Sequence, residues 1–258
     1  MKVPEKRLIK IKEFVQKENV TSVLDLSRAF NVSATTIRRD LLKLDKEGFL
    51  DKVHGGAVFK ETLIPEPIFN EAKTLHKEEK IRIAEEASKR IEDSDIIMID
   101  SGTTCLELIR FLNTKKNLKI VTNGIFTGIE LCKLLRKKKD IEVIVTGGEV
   151  KLEFGVYSGF KTFDFFNTIN IKKAFIGAAA ISIEKGISTS IQYIYDLVTT
   201  VRRNAKELIL LCDSSKFETY SLLNILPISE IDEIITDNNL NPEIAKKIKK
   251  INKKIILV

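Results

Sequence analysis

From about residue 96 onward the chain alternates short, near-continuous apolar runs with amphipathic helical segments, and this alternation limits the fold more than any other feature. The runs are 96–99, 119–121, 141–145, 174–176, 208–211, 233–235 and 254–258. Strands so uniformly apolar are covered on both faces, and helical segments at 105–112, 126–136, 191–205 and 242–250 provide the cover. We therefore expect an α/β class protein with a mostly parallel, doubly wound, Rossmann-like sheet, preceded by a long helix from Lys73 to about Glu92 with Ile81, Ala84 and Ala87 inward. With 258 residues and 43% hydrophobic content the chain can bury a core in each of one to two domains, which excludes disorder and a disulfide-stapled miniprotein.

The first fifty residues follow a different period. Leu8, Ile11 and Val15, then Val23, Leu26 and Phe30, then Ala34, Ile37, Leu41 and Leu44 form three apolar stripes at helical spacing. Ser22 with Asp25 is a capping box for the second helix, and Ser33 is a suitable N-cap for the third, just after the short turn Asn31-Val32. Residues 49–58 hold two short apolar segments around a Gly pair, a two-stranded wing. The pattern is a winged helix-turn-helix over 1–59, a linker over 60–72 containing Pro65 and Pro67, and an α/β effector-binding and oligomerisation domain over 73–258.

Charge supports the division. Residues 1–60 carry 13 Lys plus Arg against 8 Asp plus Glu, while the remaining 198 carry 30 against 28. On charge alone this is equally a nucleic-acid surface or a solvated helical face. The third helix adds residue chemistry. With Ile37 and Leu41 inward, Thr35, Thr36, Arg38 and Arg39 face outward near the helix start, the end that meets base edges in a helix-turn-helix. Arginine pairs bidentately with guanine, threonine can touch a thymine methyl, and Ser33 with the free helix N–H groups can hold a phosphate. Lys43, Lys52 and His54 are candidates for backbone contacts. The competing reading pairs the two arginines with Asp40 or Asp45 on the protein surface.

The residues 24–30, Val32-Ser33, Thr36-Ile37-Arg38-Arg39-Asp40-Leu41, Leu44, Gly48 and His54-Gly55-Gly56-Ala57 closely resemble the N-terminal signature of the DeoR family of bacterial transcription regulators. The resemblance implies double-stranded operator DNA as a partner and repression as the usual mode.

In a doubly wound sheet, ligands bind at the carboxyl ends of the strands. Four ends are polar or glycine-rich: Asp100-Ser101-Gly102-Thr103-Thr104, Thr122-Asn123-Gly124, Thr146-Gly147-Gly148-Glu149, and Cys212-Asp213-Ser214-Ser215-Lys216. Hydroxyls, glycine backbone and a helix start, which Thr104 and Glu107 would cap, suit a phosphate. These segments resemble the DeoR effector domain, whose fold is similar to that of ribose phosphate isomerase and whose usual ligand is a phosphorylated sugar or related metabolite. The expected effector residues are Asp100, Ser101, Gly102, Thr103, Thr104, Thr122, Asn123, Gly147, Gly148, Gly177, Asp213 and Lys216. Gly186 to Thr189 matches the family as well and can line the same pocket. Where the family often has Gly-Ala-Asp-Gly-Ile, this chain has Gly177-Ala178-Ala179-Ala180-Ile181, which loses an acceptor for a sugar hydroxyl. The Phe-rich segment between Lys151 and Thr168 is expected to pack a loop.

The expected function is a ligand-responsive DNA-binding regulator, by resemblance a repressor of carbohydrate genes, acting as a homo-oligomer. The alternatives are a sugar-phosphate isomerase with an appended DNA-binding domain and a scaffold whose second domain only dimerises. Ala179, standing where the isomerase-like loop would offer a carboxylate, weighs against the first, and polar strand ends against the second. No metal or cofactor is expected, since no Cys or His pair has ligand spacing. The longest apolar run, 174–183, is shorter than the ~20 residues that cross a bilayer, and residues 1–7 are charged, so a cytoplasmic protein with no membrane partner is expected. Cys105, Cys132 and Cys212 are widely spaced and read as reduced thiols.

Overall fold

The computed structural model describes residues 7–8, 10–12, 14–15, 20–46, 50–53, 56–59, 69–251 and 254–258. The chain divides into two compact units, Met1–Leu63 and Ile64–Val258.

In the first unit, β1 (Val20–Ser22) leads into α1 (Val23–Phe30) and α2 (Ala34–Lys46), followed by β2 (Leu50–Val53) and β3 (Gly56–Phe59). Ser22 Oγ accepts from Asp25 N at 3.0 Å, so the expected cap opens α1. Asn31 ends it at φ 50°, a left-handed conformation that asparagine tolerates. Ser27 Oγ then donates to the Val32 carbonyl at 2.6 Å, fixing the tight turn. Ile11, Val15, Leu26, Ile37, Leu41, Leu44 and Leu50 form one buried core. The expected wing is present as β2 and β3, but with a third strand: the antiparallel order is β1-β3-β2. Gly56 permits this, because a Cβ there would lie 2.2 Å from the Thr21 carbonyl oxygen.

The second unit is built on seven parallel strands: β4 (Ile96–Ile99), β5 (Lys119–Thr122), β6 (Glu142–Val145), β9 (Ile171–Ile176), β12 (Ala205–Leu211), β14 (Glu233–Thr236) and β15 (Lys254–Leu257). Their spatial order is β15-β14-β12-β9-β4-β5-β6. The two-residue alternation divides the strands between two cores. Met98, Val121, Ala174, Ile176, Leu208, Leu210 and Ile234 face one side. Ile97, Ile99, Ile120, Phe175, Ile209, Leu211 and Ile235 face the other. This two-sided burial is why each run is continuously apolar.

Helices α4 (Lys77–Ser88), α5 (Thr103–Glu107) and α6 (Ile125–Leu135) belong with the second core, α8 (Gln192–Asn204) and α9 (Pro242–Lys250) with the first. Strand order reverses between β4 and β9: β5 and β6 extend the sheet on one side of β4, while β9, β12, β14 and β15 extend it on the other, which places the topological switch point at the carboxyl ends of β4 and β9. A hairpin of β7 (Glu149–Lys151) and β8 (Val156–Ser158), helix α7 (Phe160–Thr168), and an antiparallel sheet of β10 (Ala180–Ser182), β11 (Gly186–Thr189) and β13 (Leu223–Leu226) surround that edge.

Three local expectations are corrected. The single helix from Lys73 to Glu92 is two helices, α3 (Phe69–Thr74) and α4, separated at His76, whose φ is 50°. Ile83 rather than Ile81 is fully buried with Ala84 and Ala87, because the inward face of α4 runs through Lys80, Ile83, Ala84 and Ala87 at helical spacing of three and four. Thr104 does not cap α5, because Gly102 is the N-cap residue and Thr104 sits inside the helix with its side chain buried.

Candidate functional site

The exposed face of α2 is the first candidate. Its inner face carries Ile37, Leu41 and Leu44 at zero exposure. Asp40, on the same side, is buried and accepts from Arg7 Nε at 2.6 Å, and that bond holds the Arg7 guanidinium above its ordinary pKa. Thr35, Arg38, Arg39 and Lys43 are exposed and Thr36 is half-buried. Ser33 Oγ accepts from Thr36 N at 3.2 Å and lies 2.9 Å from Thr36 Oγ1, so it caps the helix. Lys52 is exposed on β2, and its backbone N donates to Asp45 Oδ1 at 3.2 Å. His54 lies outside the described residues. With Asp40 taken by Arg7 and Asp45 by the Lys52 backbone, neither Arg38 nor Arg39 has an ion-pair partner among the described residues. The surface-pairing alternative is therefore not what α2 adopts.

The second candidate is a cavity of about 190 Å³ at the switch point. Asp100, Ser101, Gly102, Thr103 and Thr104 reach it from the end of β4, Asn123 from β5, Gly177 from β9, and Asp213 and Lys216 from β12. Four adjacent strand ends thus converge, with Lys216 and Asn123 three strand spacings apart, roughly 14 Å of sheet. The β4 and β9 loops lie side by side there: a Cβ on Gly102 would be in ordinary contact, 3.7 Å, with Gly177 Cα.

Asp100 is engaged within the fold. Its Oδ1 accepts from Ser101 N at 2.7 Å and its Oδ2 from Gly177 N at 3.2 Å, joining the β4 loop to the β9 loop. Burial raises its pKa, and the backbone N–H groups of Gly177, Ser101 and Gly102 oppose that rise. Asp213 caps the 3-10 turn Ser214–Lys216, accepting from Ser215 N at 3.1 Å and from the Ser215 hydroxyl. Asn123 is 2% exposed and its Nδ2 donates to the Tyr157 carbonyl at 3.2 Å, while its Oδ1 has no hydrogen-bond partner among the described residues.

Three expected effector residues do not line the cavity. Thr122 is fully buried and its Oγ1 accepts from Gly124 N at 3.0 Å. Gly147 and Gly148 have φ of 67° and 121°, and a Cβ on Gly148 would meet the Ser158 carbonyl at 2.5 Å. Both glycines serve the turn before β7, and the Gly147 carbonyl accepts from Thr162 Oγ1 at 2.7 Å. Within 186–189, Ser188 and Thr189 reach the cavity, whereas Gly186 packs against the Leu226 carbonyl. Phe154 and Val156 also line it, so the Phe-rich segment does more than pack a loop.

Lys80 is the main residue that the sequence reading missed. It is 4% exposed, and its Nζ donates to the Ala72 carbonyl at 2.6 Å and to Thr103 Oγ1 at 3.0 Å. Burial lowers its pKa; the charge of Asp213 opposes this and that of Lys216 adds to it. Its sequence signal was weak, since a lysine in Lys77-Glu78-Glu79-Lys80 reads as part of a solvated face. Neither Lys80 nor Lys216 has a carboxylate within ion-pair distance among the described residues. Both ammonium groups therefore line one cavity without an anion in contact.

The thiols differ sharply in setting. Cys105 and Cys212 are buried with pKa pushed well above the ordinary value by desolvation, and Cys212 lines the cavity; Cys132, on α6, is exposed. Among the described residues no group of three His, Cys, Asp or Glu is arranged to hold a metal ion. No helix among them is long and apolar enough to cross a membrane.

Two family models match the chain: a DeoR-like helix-turn-helix domain over residues 7–62 and the DeoR C terminal sensor domain over residues 75–238. The HTH-type transcriptional regulator IolR of Bacillus subtilis is 32% identical over 239 residues, 92% of each chain. GolR of Listeria innocua, also an HTH-type transcriptional regulator, is 31% identical over 244 residues, 95% of this chain and 94% of its own. The lactose phosphotransferase system repressor of Lactococcus lactis is 31% identical over 241 residues, 92% of each. Among solved structures, ribose 5 phosphate isomerase A from Neisseria gonorrhoeae aligns at a TM-score of 0.39 with 17% identity, covering 54% of this chain and 53% of that one. A winged helix-turn-helix joined to a parallel α/β sensor domain, matched along nearly its whole length by transcriptional regulators, makes this chain a member of the DeoR family of DNA-binding transcriptional regulators.

Proposed function

We propose that this protein represses a carbohydrate-metabolism operon and releases or changes its grip on DNA when a phosphorylated sugar occupies the cavity of the sensor domain. The observation that carries the reading is the pair of ammonium groups, Lys80 and Lys216, lining one cavity at the switch point with no carboxylate in contact. A buried cation with no carboxylate in contact is costly, Asp213 acting on Lys80 only at longer range, and a phosphate dianion supplies an anion in contact. Thr103, Thr104, Ser101 and Gly102 offer hydroxyl and backbone donors beside it, and Asn123 Oδ1 offers an acceptor to a sugar hydroxyl.

On the DNA side, Arg38 and Arg39 with Thr35 and Thr36 read base edges in the major groove. Lys43, Lys52, His54 and the capped helix start at Ser33 contact the backbone. The free guanidinium groups of α2 support this reading. A homo-oligomer follows from the same function, since two linked reading heads gain effective concentration on a repeated site. We place the protein in the cytoplasm, where operator and effector meet. Regulation without catalysis is the better reading of the pocket: an enediol isomerisation needs a base beside the carbonyl carbon, and Asp100 is committed to backbone N–H groups.

The test is binding of the full-length protein to DNA upstream of its own gene cluster at fixed salt, with and without a panel of sugar phosphates. The expected result is an affinity shift by one compound. DNA binding that no phosphorylated compound alters would overturn the sensor reading.

A further inference from the structure

The segment Phe69–His76 forms part of the cavity wall, with Phe69, Ala72, Leu75 and His76 lining it. It is also the first described segment after the stretch where the two compact units divide. Helix α3 has six residues, too few to be stable alone. Its N-terminal end is held by the Phe69 ring stacked on Phe126 at 4.4 Å and by Phe69 N donating to the Glu153 carbonyl at 3.5 Å. At the other end the residues following Ala72 are exposed, Leu75 at 50%; there Lys80 Nζ donates to the Ala72 carbonyl at 2.6 Å, and Lys80 N donates to the His76 carbonyl at 3.0 Å.

That ammonium has three N–H donors, of which two are used, on Ala72 and Thr103. We propose that α3 is a lid whose anchoring is set by the effector through Lys80, one ammonium bonded at once to the lid carbonyl, to the Thr103 hydroxyl and to the effector's phosphate. This rests on the phosphate reading of the cavity and adds the route by which occupancy leaves it. The phosphate fixes the third donor and the side-chain rotamer, so the bond to Ala72 no longer competes with free rotation of the lysine. The lid tightens, and with it the anchor point of the chain that joins the two units. Occupancy is thereby transmitted as a change in local order.

Hydrogen exchange of the full-length protein, with inorganic phosphate as the first probe and ribose 5-phosphate as the second, tests the proposal. Inorganic phosphate is too small to cover Phe69 or Leu75, and the Lys80→Met variant separates a route through Lys80 from direct contact with His76, which also lines the cavity. In the wild type we expect phosphate to slow exchange at 101–106 and, by about tenfold, at 69–76. In Lys80→Met the 69–76 amides should exchange fast whether or not phosphate is present. Protection at 101–106 without any change at 69–76 in the wild type would overturn the lid and leave the cavity reading standing. Absence of protection at both would overturn both. Phosphate-dependent protection of 69–76 surviving in Lys80→Met would remove Lys80 from the route. The wild-type measurement decides the first two outcomes even where the variant folds poorly.

Discussion

Replacing Lys216 by alanine isolates the electrostatic part of effector recognition. The side chain is half-buried at the end of the 3-10 turn that Asp213 caps, and the ammonium carries no ion pair among the described residues, so its removal leaves no buried carboxylate stranded. The loss is then that of a charge-assisted hydrogen bond to phosphate, about 1.5–3 kcal/mol. This corresponds to a Kd for the sugar phosphate weakened by roughly 10- to 150-fold. Isothermal titration of the full-length protein with the compound that shifts operator affinity gives the number directly. Operator affinity without effector should be unchanged, because Lys216 lies in the sensor unit. A Kd within about threefold of wild type, under ~0.7 kcal/mol, would refute the reasoning and move the phosphate away from the β12 end of the cavity.

Arg38→Ala with Arg39→Ala should abolish discrimination between operator and random DNA while leaving effector binding intact, read by anisotropy at several salt concentrations; preserved discrimination would remove α2 from base readout. Gly56→Ala should destabilise the first unit by about 1–3 kcal/mol, because the Cβ meets the Thr21 carbonyl at 2.2 Å; a chemical melt of the full chain with no early transition would contradict it. Lys80 has a depressed pKa, so two pH trends of opposite sign are expected on the alkaline side. Stability rises as pH passes through the folded pKa toward the ordinary lysine value, because the unfolded chain binds the extra proton. Effector affinity falls over the same interval, because phosphate needs the ammonium. Both trends should vanish in Lys80→Met, as measured by thermal melts and titrations across that range.

Where one physical signal dominated, the sequence reading and the structure coincide. Strand β4 came from an uninterrupted apolar run between polar residues, and α9 from the amphipathic segment 242–250 between two such runs, a helix that Asn241 caps by accepting from Glu243 N at 2.9 Å. The sheet β10-β11-β13 left no such trace, because strands of three and four residues carry too few alternations to set a period. The break at His76 was invisible for a related reason. A histidine in a left-handed conformation has neither glycine nor proline to announce it. In the candidate site, three of the four polar strand ends, 100–104, 122–124 and 212–216, were legible because a parallel sheet gathers its carboxyl ends at one edge. Lys80 was not, since its burial comes from the Ala72 carbonyl and Thr103, groups brought to it by tertiary folding. Gly147 and Gly148 erred the other way: a glycine pair signals close approach, and what approaches is the Ser158 carbonyl.

The contrast among the three thiols gives the unmodified chain a built-in reporter. A maleimide dye at neutral pH will react at Cys132 and label α6 at one position, with no cysteine removed beforehand. Cys212 will react only when the cavity wall parts, so the rate of its slow second labelling times how often the empty pocket opens and how far an effector closes it.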